Sequence, residues 1–212
     1  MSALHIDVVS DVSCPWCAVG LWALEAALAR VAPGVTADIH CQPFELNPHM
    51  PPGGQDIAEH LMQKYGSTPA QQAQIRETIR QRGAEVGFEF NMAGRGRIYN
   101  TFDAHRLLHW AGAEHPGLQL PLKKALLVAC HRDRQAMDSH AVLQRAARDA
   151  GLDATRAAAV LDSTEFEDDV RERQAFYARQ GIRSVPAVII NHQYLISGGQ
   201  PVAVFEQALR QF

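Results

Sequence analysis

The sequence predicts an α/β fold in which two β-containing ends enclose a large all-helical insertion. Three observations carry this. Residues 5–43 read as strand, helix, strand; residues 56–180 have helical periodicity almost throughout; residues 185–212 read as strand, hairpin strand, helix. Joined, the ends supply one mixed four-stranded sheet with helices on both faces. The 212 residues suit one domain with an insertion or two small ones. Hydrophobic residues at 47% and charged residues at 20% exclude a disordered chain. Twenty Lys+Arg against 23 Asp+Glu, a net charge of −3, argue against a general nucleic-acid binder or a polybasic membrane binder.

The elements follow in order. His5–Ser10 is short and β-branched, which suits a strand. Cys14-Pro15-Trp16-Cys17 comes next, then Leu21, Trp22, Leu24, Ala27, Leu28 and Val31 at helical spacing. Pro15 suits the first turn, where its missing N–H has no partner to lose, and Pro33-Gly34 stops the helix. Val35 to Pro43 alternates as a second strand. In the middle we count about six helices and no strand. Thr68-Pro69-Ala70-Gln71 is a capping box, and Asn100-Thr101 opens Phe102–Glu114. Leu118–Arg132 is helical despite Pro121; Asp138-Ser139 opens a helix that Gly151 closes. Asp153–Leu161 is Ala-rich, and Thr164-Glu165-Phe166-Glu167 reads as a second capping box for a helix ending at Gly181. Val185–Ile190 is a buried strand begun by a proline, Asn191-His192-Gln193 a turn, and Tyr194–Ser197 its hairpin partner. The last helix carries Val202, Phe205, Leu209 and Phe212 on one stripe. This is the thioredoxin arrangement, cut open by helices. Residues 1–48 and 181–212 would form a discontinuous thioredoxin-like domain and 49–180 the inserted helical domain, with Pro48–Gly54 as junction.

The start, Met1 to Asp7, has no basic n-region and no long apolar core, so no signal peptide is read, and no apolar run approaches a membrane span. The expected compartment is the cytoplasm. There a Cys-x-x-Cys reads as redox or metal chemistry rather than as a structural disulfide.

Cys14 and Cys17 are two of four cysteines. Between a strand and a helix N-terminus, the first thiol faces unpaired N–H groups and the positive end of the helix dipole. Both favour the thiolate, which is the nucleophile. Cys14 is therefore the expected attacking thiol and Cys17 the resolving one. Pro186 is the second element: a proline entering a central strand lacks a ladder donor, and a cis Val185–Pro186 bond would turn the backbone toward the neighbouring loop. Cys41, in a strand, and Cys130, in an apolar helix, read as core. No second close pair completes a four-cysteine zinc site, and His105 with His109 lacks the H-E-x-x-H pattern, so no metal site is expected.

Asp11-Val12-Ser13-Cys14-Pro15-Trp16-Cys17-Ala18-Val19-Gly20 resembles the active-site stretch of the DsbA-like thioredoxin family. The similarity is strongest to its FrnE-like branch, related to 2-hydroxychromene-2-carboxylate isomerases and kappa-class glutathione transferases. Gln42–Pro48, Asn100–Leu107, Gly181–Ala187 and Ser197–Gln200 resemble further motifs of that branch, in order along the chain. The resemblance implies a thiol–disulfide oxidoreductase acting on a protein or small-molecule dithiol or disulfide, with Pro186 facing Cys14. It implies no bound cofactor, and allows glutathione as redox partner or co-substrate. By resemblance, Pro15, Trp16, Val185, Asn47, Gly198 and Gln200 would contact substrate or glutathione. His105, with Arg106, would line a cleft under the helical block; residues 94–134 carry seven Lys/Arg against three Asp/Glu, which would suit an anionic substrate. A packing or turn role competes with each of these.

The alternative is a glutathione-dependent isomerase or transferase on the same fold. Those relatives carry Ser where this chain has Cys14, and both cysteines here favour electron transfer. Ser13 is one residue out of place for that role. A non-enzymatic module with the cysteines as a metal clip is a third reading, and the exposed helical faces are compatible with a homodimer.

Overall fold

The computed structural model describes residues 3–91 and 93–212; the Met1–Ser2 part of the signal-peptide reading lies outside them. Strand β1 (Leu4–Ser10) leads into helix α1 (Pro15–Val31) and returns as β2 (Ala37–Pro43), parallel to β1 with Val8 opposite Cys41. Cys14 is the N-cap of α1, and Pro15 occupies its first turn. Ile6, Val8 and Val9 of β1 are all buried, because helices cover both faces of the sheet there.

The middle departs from the expectation of six helices and no strand. Two-residue strands β3 (Gln55–Asp56) and β4 (Arg97–Ile98) pair antiparallel. They are too short to leave a periodicity in sequence. Between them lie α2 (Ile57–Tyr65) and α3 (Pro69–Glu85). Helix α2 is short and buries no residue; it is held at its ends, by Asp56 accepting the Ala58 and Glu59 N–H groups and by left-handed Gly66. The Thr68–Gln71 capping box forms as read.

Five further helices follow: α4 (Phe102–Glu114), α5 (Pro116–His131), α6 (His140–Asp149), α7 (Ala154–Leu161) and α8 (Glu167–Arg179). The Thr164 capping box does not form. Helix α8 starts at Glu167 behind Phe166, whose φ is +64°. Arg106 is the reason: its guanidinium collects the Val160, Ser163 and Glu165 carbonyls, which fixes this turn in another shape.

The chain then returns to the sheet as β5 (Ala187–Ile190), β6 (Tyr194–Ser197) and α9 (Val202–Leu209). The order is β2-β1-β5-β6, with β5 antiparallel to β1 and β6 antiparallel to β5. Phe205 and Leu209 of α9 pack with Ala23, Leu24 and Ala27 of α1 over Ile6, Val8, Val188 and Ile190. Phe212 is not on that stripe; it lies past the helix end, exposed, edge-on to Tyr194. Val9 and Ala187 face the other side, against Tyr177 and Ile182. A separate helical core gathers Leu107, Trp110, Leu122, Leu126, Leu143 and Val160, and Val12 from the loop before Cys14 inserts into it.

Strand β2 is an edge strand, and its outer edge is closed by one side chain. The Gln119 amide of α5 accepts from Cys41 N at 2.8 Å and donates to Cys41 O at 3.1 Å and Leu108 O at 3.0 Å. Gly112 makes room for it; a Cβ there would lie 2.5 Å from Gln119 Nε2. Gln119 thus imitates a neighbouring strand and docks α5 on the sheet. Gln119→Leu leaves the buried Cys41 N–H and C=O unpaired, so urea unfolding should show a loss of about 2–4 kcal/mol.

Candidate active site

The end of β1 and the start of α1 set the thiols. Cys14 has extended backbone (φ −87°, ψ 115°), and its N–H donates to Asp11 O at 3.2 Å. One turn on, Cys17 N–H donates to Cys14 O at 3.1 Å. Both side chains are buried thiols, 4% and 1% exposed. Asp11 shapes the loop that presents them. Its carboxylate accepts Ser13 N–H at 3.1 Å, Ser13 O–H at 3.0 Å and Leu46 N–H at 2.7 Å. His105 Nε2 stands 3.6 Å from it, a close polar contact too long for an ordinary hydrogen bond. Burial by itself would raise the Asp11 carboxyl; His105 and the donated N–H groups outweigh burial and hold it well below the usual carboxylate range.

The facing side comes from the distant end of the chain. The Val185–Pro186 bond is cis, and the Cys14 thiol lies 3.8 Å from Val185 O. Gly20, inside α1, lets Pro186 approach: a Cβ there would stand 3.0 Å from Pro186 Cγ. Gly198, at φ +83°, donates its N–H to Pro186 O at 2.8 Å, and Gly199 packs so tightly on Trp16 that a Cβ would lie 3.0 Å from Trp16 O. Cys14, Pro15, Trp16, Cys17, Val185, Pro186 and the Ser197–Gln200 loop therefore meet at one place.

The two thiols are driven apart in acidity. Cys14 is lowered, first by the Cys17 thiol hydrogen bond and then by the Cys17 and Trp16 N–H groups, against burial and the charge of Asp11. Cys17 is raised well above an ordinary thiol, first by burial and then by Cys14. Against this acts Lys123, whose charge pulls Cys17 down. Lys123 was read only as part of a basic surplus, yet it is 1% exposed and its Nζ has no hydrogen-bond partner among the described residues. It sits on α5 in the row Gln119, Lys123, Leu127, His131, all buried, with Leu127 against Ala18 and Leu21 of α1. His131, in the same row, meets Val12 O at 3.0 Å. This four-residue spacing was the available sequence signal.

Other expected residues stand elsewhere. His105 is 1% exposed and lies behind the loop rather than lining a cleft. Arg106 is buried against Asp103 and the Val160–Glu165 carbonyls. The basic surplus is largely consumed: Arg97 binds the Gly53 and Gly54 carbonyls, Lys124 pairs with Glu25 and Arg132 with Asp133. Asn47 Oδ1 accepts from Lys64 Nζ at 2.7 Å, and Gln200 Nε2 donates to Ser197 O at 2.8 Å, so both side chains make local contacts. Ser13 is engaged by Asp11. His109 packs against Phe166 with its ring tilted by 41°. Cys41 and Cys130 are buried in the core, with Cys41 raised by burial to about 11.

A family model described as the DSBA-like thioredoxin domain matches residues 5–210. The structure is similar to that of a probable DsbA oxidoreductase from Streptomyces coelicolor, with TM-score 0.88 and 32% identity over 98% of this chain and 89% of that one. A 2-hydroxychromene-2-carboxylate isomerase shares the fold at TM-score 0.71 and 13% identity, over 98% and 95% of the two chains. So does a cytosolic disulfide reductase, DsbM from Pseudomonas aeruginosa with glutathione, at TM-score 0.64 and 18% identity, over 98% and 100%.

Three outcomes are expected. Iodoacetamide should alkylate Cys14 with a midpoint below the ~8.5 of a free thiol, while Cys17 stays protected. By linkage, a depressed Cys14 adds stability to the dithiol protein as pH rises through its folded value toward ~8.5; above that, the raised Cys17, Cys41 and Cys130 remove it. Urea midpoints against pH for wild type and Cys14→Ser check the sign. Lys123→Met removes an unpaired buried amine, so it should stabilise the fold by about 1–3 kcal/mol while shifting Cys17 alkylation in Cys14→Ser to higher pH.

Proposed function

The chain belongs to the DSBA-like thioredoxin family, and from that premise we propose that it is a cytoplasmic thiol–disulfide oxidoreductase using Cys14 and Cys17. The observation that carries the reading is the asymmetry of the pair: an acidified Cys14 at a helix N-terminus, 3.8 Å from Val185 O, with a less acidic Cys17 one turn behind. The Cys14 thiolate attacks one sulfur of a substrate disulfide, forming a mixed disulfide and expelling the other substrate sulfur as thiolate, which takes up a proton. Cys17 then gives up its proton and attacks Cys14 Sγ. The second substrate thiolate leaves, the Cys14–Cys17 disulfide forms, and two electrons have passed to the substrate. The reverse sequence oxidises a substrate dithiol.

Val185 and Pro186 would hold the substrate backbone in extended form, in the manner of an added strand. Trp16, Pro15 and Gly198 would form the rim. Low-molecular-weight disulfides such as oxidised glutathione fit as redox partners, which the fold shared with a glutathione-bound reductase supports. A glutathione-dependent isomerase is the second reading, supported by the shared fold with the isomerase. Two thiols in this position, and a Ser13 hydroxyl already donated to Asp11, favour exchange.

Insulin reduction with dithiothreitol, and equilibration of the dicysteine couple against glutathione, test this. Cys14→Ser should abolish activity. Cys17→Ser should lose turnover by at least about 100-fold and accumulate a mixed disulfide with glutathione visible by mass, because nothing resolves it. Isomerase activity undiminished in Cys17→Ser would overturn the oxidoreductase reading.

A further inference from the structure

At the opposite end of β1 from Cys14, two imidazoles flank one buried carboxylate. His5 Nε2 lies 3.1 Å from Asp7 Oδ2, and His192 Nδ1 lies 3.4 Å from the same oxygen. One ligand atom from each of the three residues falls within 4.8 Å of the others. His5 and Asp7 share a strand face two residues apart; His192 comes from the β5–β6 turn, where Asn191 and His192 both take positive φ, 50° and 58°. The turn is locked onto β1: His5 N–H donates to Asn191 Oδ1 at 3.0 Å, and Asn191 N–H to His5 O at 2.8 Å.

We propose that His5, Asp7 and His192 form a binding site for a zinc-class divalent cation that clips the start of β1 to the β5–β6 turn. Bonds of about 2.0–2.2 Å to tetrahedral zinc separate neighbouring ligand atoms by about 3.3–3.6 Å; the 3.4 Å His192–Asp7 separation falls within that range and the 3.1 Å His5–Asp7 separation just below it. His5 Nε2 and Asp7 Oδ2 hydrogen-bond at 3.1 Å, a contact that a bound cation would replace; the longer His192–Asp7 approach is not a hydrogen bond. Two imidazoles and one carboxylate select zinc or its neighbours over magnesium or calcium, which take oxygen ligands. The ligand set has the outer support such sites use: Gln42 Nε2 donates to Asp7 Oδ1 at 2.7 Å, and His40 stacks on His5 with ring centroids 4.3 Å apart. Exposed His192 leaves the fourth position to water and a small ring rotation to close the set.

The expectation from sequence that the chain has no metal site dealt with His105, His109 and the cysteines. This set needs a turn 180 residues downstream of β1. It is independent of the redox reading.

The test uses protein oxidised to the Cys14–Cys17 disulfide, stripped with EDTA, and titrated with Zn(II) by calorimetry and Co(II) by absorbance. We expect one equivalent bound, a rise in Tm with zinc concentration, and cobalt d–d bands without a thiolate charge-transfer band. His192→Asn, which keeps the left-handed turn, should remove the binding and the Tm rise; His49→Ala, at an exposed histidine outside the set, should keep both. No saturable binding to the oxidised wild type, binding that survives His192→Asn, or a thiolate charge-transfer band would each overturn the site.

Discussion

The Asp11 carboxylate is the interaction on which the site depends. A buried carboxylate is tolerated only when its oxygens are satisfied. Here they are met by Ser13 N–H, Ser13 O–H and Leu46 N–H, with His105 close by. These donors come from the loop before α1 and the exit of β2, and His105 comes from α4. One group therefore holds the sheet, the Cys14 loop and a helix of the insertion in a single arrangement. Val12, the residue next to it, is seated in the helical core. The insertion supports the Cys14 loop from behind.

The same economy appears in how the thiols are distinguished. Cys14 and Cys17 share a helix and differ by one turn, yet their environments push them in opposite directions. The Cys17 thiol hydrogen bond, helped by the N-terminal N–H groups, lowers Cys14 against its burial; burial and then Cys14 raise Cys17. Lys123 brings a charge to Cys17 from another element, and does so without a hydrogen-bond partner among the described residues. An isolated buried amine is a poor way to stabilise a fold. Its position under the less acidic thiol gives it electrostatic sense.

Glycines decide how closely the facing parts meet. Gly20 and Gly199 lie where a methyl group would push Pro186 away from α1 and the Ser197–Gln200 loop away from Trp16. The two chain ends thus meet in close contact, with Cys14 at the seam. Gln119 does comparable service at the sheet edge, joining α5 to Cys41 where β2 has no further strand.

Local signals in the sequence determined a good deal. Strand residues such as Val8 and Val9, the α1 stripe from Leu21 to Val31, the Thr68 capping box, and the Cys14–Cys17 pair at a strand-to-helix turn are all short-range patterns. They are legible because propensity and periodicity act within a few residues. The misses share a cause. The Thr164 capping box failed because Arg106, far off in sequence, took the carbonyls of that turn. Strands β3 and β4 exist only as a pair, so neither carries a pattern alone. His105 and Lys123 look like surface residues until α4 and α5 are packed against the loop and α1. Tertiary structure alone decided which polar groups are buried, and which thiol feels which charge. Burial and Coulomb interactions depend on distance in space, which sequence spacing does not encode.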